Sequence, residues 1–292
     1  MNTILSSTYL ISEDIKISES VTNEDFGASK KELEAALEDT RERLGDLQDT
    51  LYAHGKYAVL VCLQGMDTAG KDSLIREVFK DFNARGVVVH SFKVPTDLER
   101  KHDYLWRHYI ALPARGKFGV FNRTHYENVL VTRVHPEYIL GENLPQIHSV
   151  DDVNDDFWAD RFKQIVNFEK TIAQNGTIIF KFFLNVSKNE QKNRLIRRLE
   201  KRNKHWKFSP DDLKERKLWD DYMRCYEEAI NKTSKPNAPW YNIPADNKPA
   251  ARLLVASILL EELGKYSDIK EPELDAKLKA RIDEFKQQLN NE

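Results

Sequence analysis

The sequence predicts a three-layer α/β fold: a central parallel sheet of five strands flanked by helices, with a helical lid. Three observations lead there. Apolar runs at 56–63, 86–94, 118–121, 177–186 and around 240–243 alternate with segments of helical period, the pattern of strand–helix–strand units that pair in parallel. The run from Thr177 to Val186 is nearly continuous in Ile, Phe and Leu, as a strand covered on both faces must be. A glycine-rich stretch, Gln64 to Ser73, joins the first strand to an amphipathic segment, so it sits on a strand-to-helix turn.

At 292 residues the chain can bury a sizeable core as one domain with appendages. Lys+Arg 45 against Asp+Glu 47 leaves a net charge of −2, so affinity for a polyanion must come from local clustering. A general nucleic-acid binder is disfavoured on that ground. Cys62 lies in an apolar strand and Cys225 in a helical stretch, which predicts buried thiols in a reducing compartment. The first 20 residues lack a basic region followed by an apolar run, and no segment reaches membrane-spanning length. The expectation is a soluble, cytoplasmic protein with no membrane or nucleic-acid partner.

Taken in order, residues 1–28 show no sustained period and predict a partly ordered arm. Ser29 and Glu32 form a capping-box pattern opening a helix to about Ala53. The first strand then leads into Gly65-Met66-Asp67-Thr68-Ala69-Gly70-Lys71-Asp72-Ser73. Gly65, Gly70 and Lys71 match GxxxxGK, in which loop amides and a helix N-terminus cradle phosphate and the lysine adds a point charge. Asp72 stands where a Walker loop has Ser or Thr, Ser73 comes one residue late, and Asp67 puts a second acid inside the loop. Two carboxylates beside phosphate call for a cation, which predicts Mg²⁺-dependent phosphoryl transfer.

A helix to about Phe82 and a second strand, Gly86 to Val94, follow. The segment Pro95 to Ala114, dense in charge and aromatics, comes directly after a strand end, where open α/β sheets hold ligands. Asp103 and Arg107 are its candidate acceptor contacts, whereas Tyr104, Leu105 and Trp106 read as core. The third strand, Phe118 to Phe121, ends on Asn122 and Arg123. Asn122 is uncharged where a strand-end carboxylate often completes a Mg²⁺ site, so Glu127 is expected to supply the charge from the first turn of the next helix, with Arg123 facing phosphate. His125 reads as structural. A helical run to about Leu140, a polar insertion at 141–156, a helix over 160–173 and the fourth strand come next.

Ser187 and Glu190 then open a helix carrying Arg194, Arg197, Arg198 and Lys201 near one face, with Lys204 one turn further. This predicts a lid over phosphates, spanning about 188–208. Ser209-Pro210 starts another helix through Trp219, Tyr222 and Tyr226; Trp240 to Ile243 is the fifth strand, with Lys248 near the site or its rim. Helices at 248–263 and 273–289 finish the chain, the latter outer or subunit-contacting.

With these motifs in place, the chain resembles the polyphosphate kinase 2 family. GMDTAGKD (65–72), SFKVPT with HDYLWR (91–96, 102–107), FNRTHYENVLVTRVH (121–135) and NRLIRR (193–198) carry the resemblance, which covers about 29–265. It accounts for both loop aspartates, and Asn122 with Glu127 resembles the subgroup accepting nucleoside mono- and diphosphates. The resemblance implies a P-loop kinase-like fold, a phosphotransferase domain at 29–270 with a C-terminal helix at 271–292, and a homo-oligomer, dimer or tetramer. It also implies Mg²⁺, with Mn²⁺ as a substitute, and transfer of the terminal phosphoryl of inorganic polyphosphate to AMP, ADP or the guanine equivalents.

In that scheme Gly65, Ala69, Gly70, Lys71, Asp72 and Ser73 hold phosphate, and Asp67 and Asp72 face the metal. Asp67 and Glu127 orient metal and acceptor, and Asp103, Arg107, Asn122, Arg123 and Glu127 hold the nucleotide. Arg123, Arg197 and Arg198 stabilise the transferring phosphoryl, and Lys201 and Lys204 extend the track for the polyanion. Two rivals stand beside it: an ATP-dependent P-loop nucleotide kinase, which needs a donor-side purine pocket, and a polyanion-binding module with a vestigial loop.

Overall fold

The computed structural model describes residues 1–207 and 209–292, apart from the side chains of Lys204, Trp206 and Lys207. The five expected strands are β2 (Ala58–Gln64), β3 (Val87–Ser91), β4 (Phe118–Asn122), β5 (Thr177–Asn185) and β6 (Trp240–Pro244), all mutually parallel. The sheet has a sixth member. Residues Leu10–Ile11 form β1, pairing antiparallel with β6, and the order across the sheet is β1-β6-β5-β2-β4-β3.

The arm is therefore part of the folded body. Ile11, Ile17 and Phe26 are buried singly, the Ile15 and Ile17 amides donate to Asn231 and Glu227, and the Ser6 amide and hydroxyl are taken by Glu261 and Glu262. Isolated plugs and side-chain acceptors leave no periodic signal in sequence, which is why this segment reads as a tail. A second difference lies in the order. β3 does not pair with β2; β4 inserts between them, so the chain leaves β2 to both sides. β2 is thereby the switch point, with β4 on one flank and β5 on the other, and a crevice opens beyond its C-terminal end.

The helices follow local chemistry. Helix α1 (Lys30–His54) starts at the Ser29–Glu32 capping box, ends at left-handed Gly55, and packs on α9 (Lys248–Leu263). α2 (Lys71–Val78) is shorter than expected, and α3 spans only Trp106–Tyr109. α4 (Glu127–Val134) stops before Pro136, which begins a 3₁₀ segment. α5 (Asp155–Gln174) begins earlier than expected because the Asn154 side chain caps Phe157 N–H. The lid is α6 (Lys188–Glu200) followed by 3₁₀ turns, and the next helix is split into α7 (Asp211–Lys217) and α8 (Trp219–Thr233). The C-terminal helix is likewise two pieces, α10 (Ala276–Ala280) and α11 (Ile282–Asn290), without a buried residue in either. Cys62 and Cys225 are buried and unbridged. Among the described residues no helix is long and apolar enough to cross a membrane.

Candidate active site

The five parallel strands end on one side of the sheet, and four of them hand the chain to a site element. β2 runs into the glycine loop, β4 into Arg123, β5 into the lid and β6 toward Lys248. The loop needs glycine at 65: its φ is +148°, and a Cβ there would come within 2.8 Å of the Leu184 carbonyl on β5. Gly70 caps α2 with φ +117°, and Ser73 Oγ closes back on its carbonyl at 2.9 Å. Two residues that rarely adopt left-handed backbone do so here, Thr68 (φ 64°) in the loop and Arg123 (φ 58°) after β4. Such conformers persist where surrounding structure enforces them, as at sites that fix a side chain's aim.

A cavity of about 670 Å³ lies over this turn, lined by Asp67, Thr68, Gly70, Lys71, Asp72, Ser73, Asn122, Arg123, Arg194, Arg197, Arg198 and Lys201. The loop, the β4 exit and the lid residues chosen from sequence thus converge on one space. Lys248 on α9, expected near the site or its rim, lines it, and two cations not foreseen from the sequence complete its walls: Arg76 on α2 and Arg252 on α9. Each is a single charge on a different turn, with no local cluster to mark it. Asp212, also unforeseen, enters from α7.

The charges around the cavity pair with one another. Lys71 Nζ folds onto the loop, donating to the Gly65 carbonyl at 2.5 Å. Burial and the neighbouring Arg123 push its ammonium below the ordinary lysine range, and Asp67, Glu127 and Asp72 pull the other way. Arg123 Nη2 donates to Asp67 at 3.1 Å, with Glu127 3.9 Å from Nη1; burial pulls this guanidinium down, but Glu127 and Asp67 more than offset it. Asn122 Nδ2 donates to Asp72 Oδ1 at 2.8 Å, while Asn122 Oδ1 and Thr68 Oγ1 are buried with no hydrogen-bond partner. Buried polar atoms of that kind are costly in a closed core and expected where a ligand completes the set.

Three expectations change. Arg194, expected on the cation face of the lid, lines the cavity with its donors already engaged by the protein. Its guanidinium is buried and donates to the carbonyls of Thr68, Ala69, Ala245 and Asp246 and, through Nε, to Glu190. It pins the start of the lid to the loop, helped by Gln191 Nε2 on the Asp67 carbonyl. Asp103 turns away from the phosphate cavity, accepts from the Leu105 amide, and lines a separate cavity of about 720 Å³ walled by Glu142, Asp151, Asp152, Asp156 and Asp160. That sign of charge repels a phosphate. Arg107 is buried over the Phe92 ring, donating to the Lys93 carbonyl with Glu99 at 3.7 Å, so it braces the segment after β3. The cation track also breaks: α6 ends at Glu200, Lys201 follows as its C-cap, and the Lys204 side chain lies outside the described residues.

Beneath Arg123 and Glu127 runs a buried network. Lys181 on β5 donates to Glu169, Tyr126 and the Thr233 carbonyl, and Glu169 also meets His125 at 3.1 Å. His125 is structural, as its sequence context suggests. Gln64 Nε2 bonds Thr124 Oγ1 at 3.1 Å and ties the glycine loop to the Arg123 turn.

The polyphosphate kinase 2 family model matches residues 27–272, most of the chain and all of the elements around this cavity. The chain belongs to the polyphosphate kinase 2 family. Among its relatives, the ADP-polyphosphate phosphotransferase of Rhodopseudomonas palustris is 45% identical over 82% of this chain and 81% of its own length. The AMP/ADP-polyphosphate phosphotransferase of Meiothermus ruber is 45% identical over 82% of this chain and 84% of its own. The crystal structure of polyphosphate kinase 2 from Arthrobacter aurescens superposes with a TM-score of 0.85 at 36% identity, covering 95% of each chain. The match takes in the glycine loop, the Arg123 turn and the lid, and β1, α10 and α11 lie outside it.

Proposed function

We propose that this protein transfers the terminal phosphoryl group of inorganic polyphosphate to nucleoside mono- and diphosphates. The observation that supports it most directly is the cavity over the glycine loop, where Lys71, Arg76, Arg123, Arg197, Arg198, Lys201, Lys248 and Arg252 outweigh Asp67, Asp72 and Asp212 in a chain of net charge −2. A wall of that length and sign suits a donor that is itself a long anion, and the names of the two relatives above agree with it. An acceptor phosphate is already largely anionic near neutral pH, so no strong general base is required. Positioning and charge neutralisation suffice.

In this reading the loop amides and Lys71 hold the donor end, Arg123 bridges donor and acceptor, and Arg197 and Arg198 neutralise the transferring group. Asn122 and Glu127 hold the acceptor, and the range over mono- and diphosphates rests on the family resemblance. Lys201 continues the donor track along the lid, and Arg76, Lys248 and Arg252 along the opposite wall. Mg²⁺ is the proposed cofactor. Asp67 and Asp72 would hold it, in part through water, and the unpartnered Asn122 Oδ1 is placed to accept from such a water. Mg²⁺ commonly binds by one or two carboxylates plus substrate phosphates, which two aspartates in the loop can provide. When bound, it would supply charge neutralisation between the phosphates.

The homo-oligomer and the cytoplasmic setting are part of the same proposal. A test is turnover in polyphosphate, Mg²⁺ and either AMP or ADP with no ATP present: ADP and ATP form from AMP, ATP forms from ADP, and EDTA stops both. Activity with ATP plus AMP but none with polyphosphate would instead favour an ordinary nucleotide kinase.

A further inference from the structure

Both lid arginines that face the cavity are already held by carboxylates. Arg197 Nη2 donates to Glu190 Oε1 at 2.5 Å along α6, and Arg198 Nη1 donates to Asp212 Oδ2 at 2.8 Å across to α7. The Arg198–Asp212 pair is shielded on both sides, with side chains 20% and 14% exposed, whereas Arg197 is 55% exposed and its pair with Glu190 is shielded on the acid's side only. Each acid is also fixed from elsewhere: Glu190 accepts from Arg194 Nε at 2.8 Å, and Asp212 from the Ser209 amide at 3.4 Å. Desolvation and the nearby Asp67 hold the Asp212 carboxyl above its usual range, and the Ser209 amide and Arg198 offset that only in part.

Each acid engages one edge of its guanidinium, so a phosphate that binds through other donors does so beside a fixed negative charge and gains the whole arginine only by displacing it. For a short anion either route leaves little net attraction. A chain anchored at Lys71 presents its further phosphates at high effective concentration and so displaces both acids in turn. We propose that Glu190 and Asp212 determine specificity for donor length, acting as internal counter-anions that yield Arg197 and Arg198 only to a polyanion long enough to engage both. They act through the arginines and are positioning residues. The inference rests on the polyphosphate reading above.

The test compares long-chain polyphosphate with tripolyphosphate as donors to ADP in the wild type, Glu190→Gln and Asp212→Asn. Gln and Asn keep acceptors for Arg194 and the Ser209 amide while removing the charge. KM for tripolyphosphate is expected to fall about tenfold in each variant, the scale of one charged hydrogen bond. KM for the long chain should change less than about twofold, since its other contacts are untouched. Asp212→Glu, which keeps the charge, should restore the discrimination; a merely structural role would not sort Asn from Glu this way. Equal shifts for both donors, a raised KM, or Asp212→Glu behaving like Asp212→Asn would overturn the proposal. Calorimetric titration with tripolyphosphate reads the same exchange without turnover, with tighter binding expected in both charge-removing variants and unchanged binding counting against it. A wild type that turns over neither donor would refute the donor assignment, while the titration still decides the role of the two acids.

Discussion

Arg194→Met is the substitution that most sharply separates a scaffold arginine from a catalytic one on the same helix face. All five guanidinium donors are used: Nη1 on the Thr68 and Ala69 carbonyls at 3.0 and 2.7 Å, Nη2 on Ala245 and Asp246 at 2.6 and 3.0 Å, and Nε on Glu190 at 2.8 Å. Methionine fills much of the volume and makes none of these bonds. Breaking a buried charged network by removing one partner costs about 3–5 kcal/mol. At roughly 2–4 °C per kcal/mol for a chain of this size, the melting temperature should fall by about 10 °C. Arg194→Lys, with three donors at most, should fall by about half as much. Because two of the bonds removed hold the glycine loop, turnover should also drop at least about tenfold at temperatures where the variant is fully folded, a misplacement effect and not an unfolding one. Differential scanning fluorimetry and far-UV circular dichroism give the first quantity and initial rates at about 20 °C below the transition the second. A melting temperature within about 2 °C of wild type with full activity would refute the pinning role.

Other consequences follow from the buried groups. His108 and His125 are buried with pKa values held below the free-histidine 6.5, chiefly by desolvation. Below pH 6.5 the unfolded chain therefore binds protons that the folded one does not, and stability is lost as pH falls. The slope approaches about 1.4 kcal/mol per pH unit for each histidine. Melting at pH 5.5 should lie well below that at pH 7.5, and His108→Phe should remove part of the difference; a flat profile would count against the buried-neutral assignment. Lys181→Met or Glu169→Gln alone should each cost about 3–5 kcal/mol in urea unfolding, whereas Lys181→Met with Glu169→Leu should cost clearly less than the sum. Gly65→Ala should abolish turnover, because its Cβ would meet the Leu184 carbonyl at 2.8 Å in a φ of +148°; a rate within threefold of wild type would show that the loop can relax.

What could be read from the sequence was what local patterns encode. The glycine loop, the Ser29 capping box and the placement of Glu127 in the first turn of α4 each depend on residues within a few positions of one another. The lid face shows where this stops. Arg194 and Arg197 share a helical face, and a wheel cannot tell which one is buried against the loop; the difference comes from the Thr68 and Asp246 carbonyls, to which Arg194 donates. Arg76 and Arg252 were hidden for the converse reason, as single charges on α2 and α9 that only the packing of those helices brings to one cavity. Asp103 follows a strand end, but its side chain serves its own turn, and sequence proximity to a site carries no direction. The arm strand was missed because two residues of pairing and three separate apolar plugs have no period to detect.

The central claim is that the phosphoryl group comes from polyphosphate and passes through the Lys71 loop. Its most direct measurement uses ³²P-labelled long-chain polyphosphate with ADP and Mg²⁺ and no ATP, following label into nucleotide for the wild type and for Lys71→Ala. The account predicts label in the γ-phosphate of ATP with the wild type, and a rate lower by about two orders of magnitude or more with a Lys71→Ala protein that melts normally. Label transfer that is indifferent to Lys71, or ATP formed without label, would contradict it.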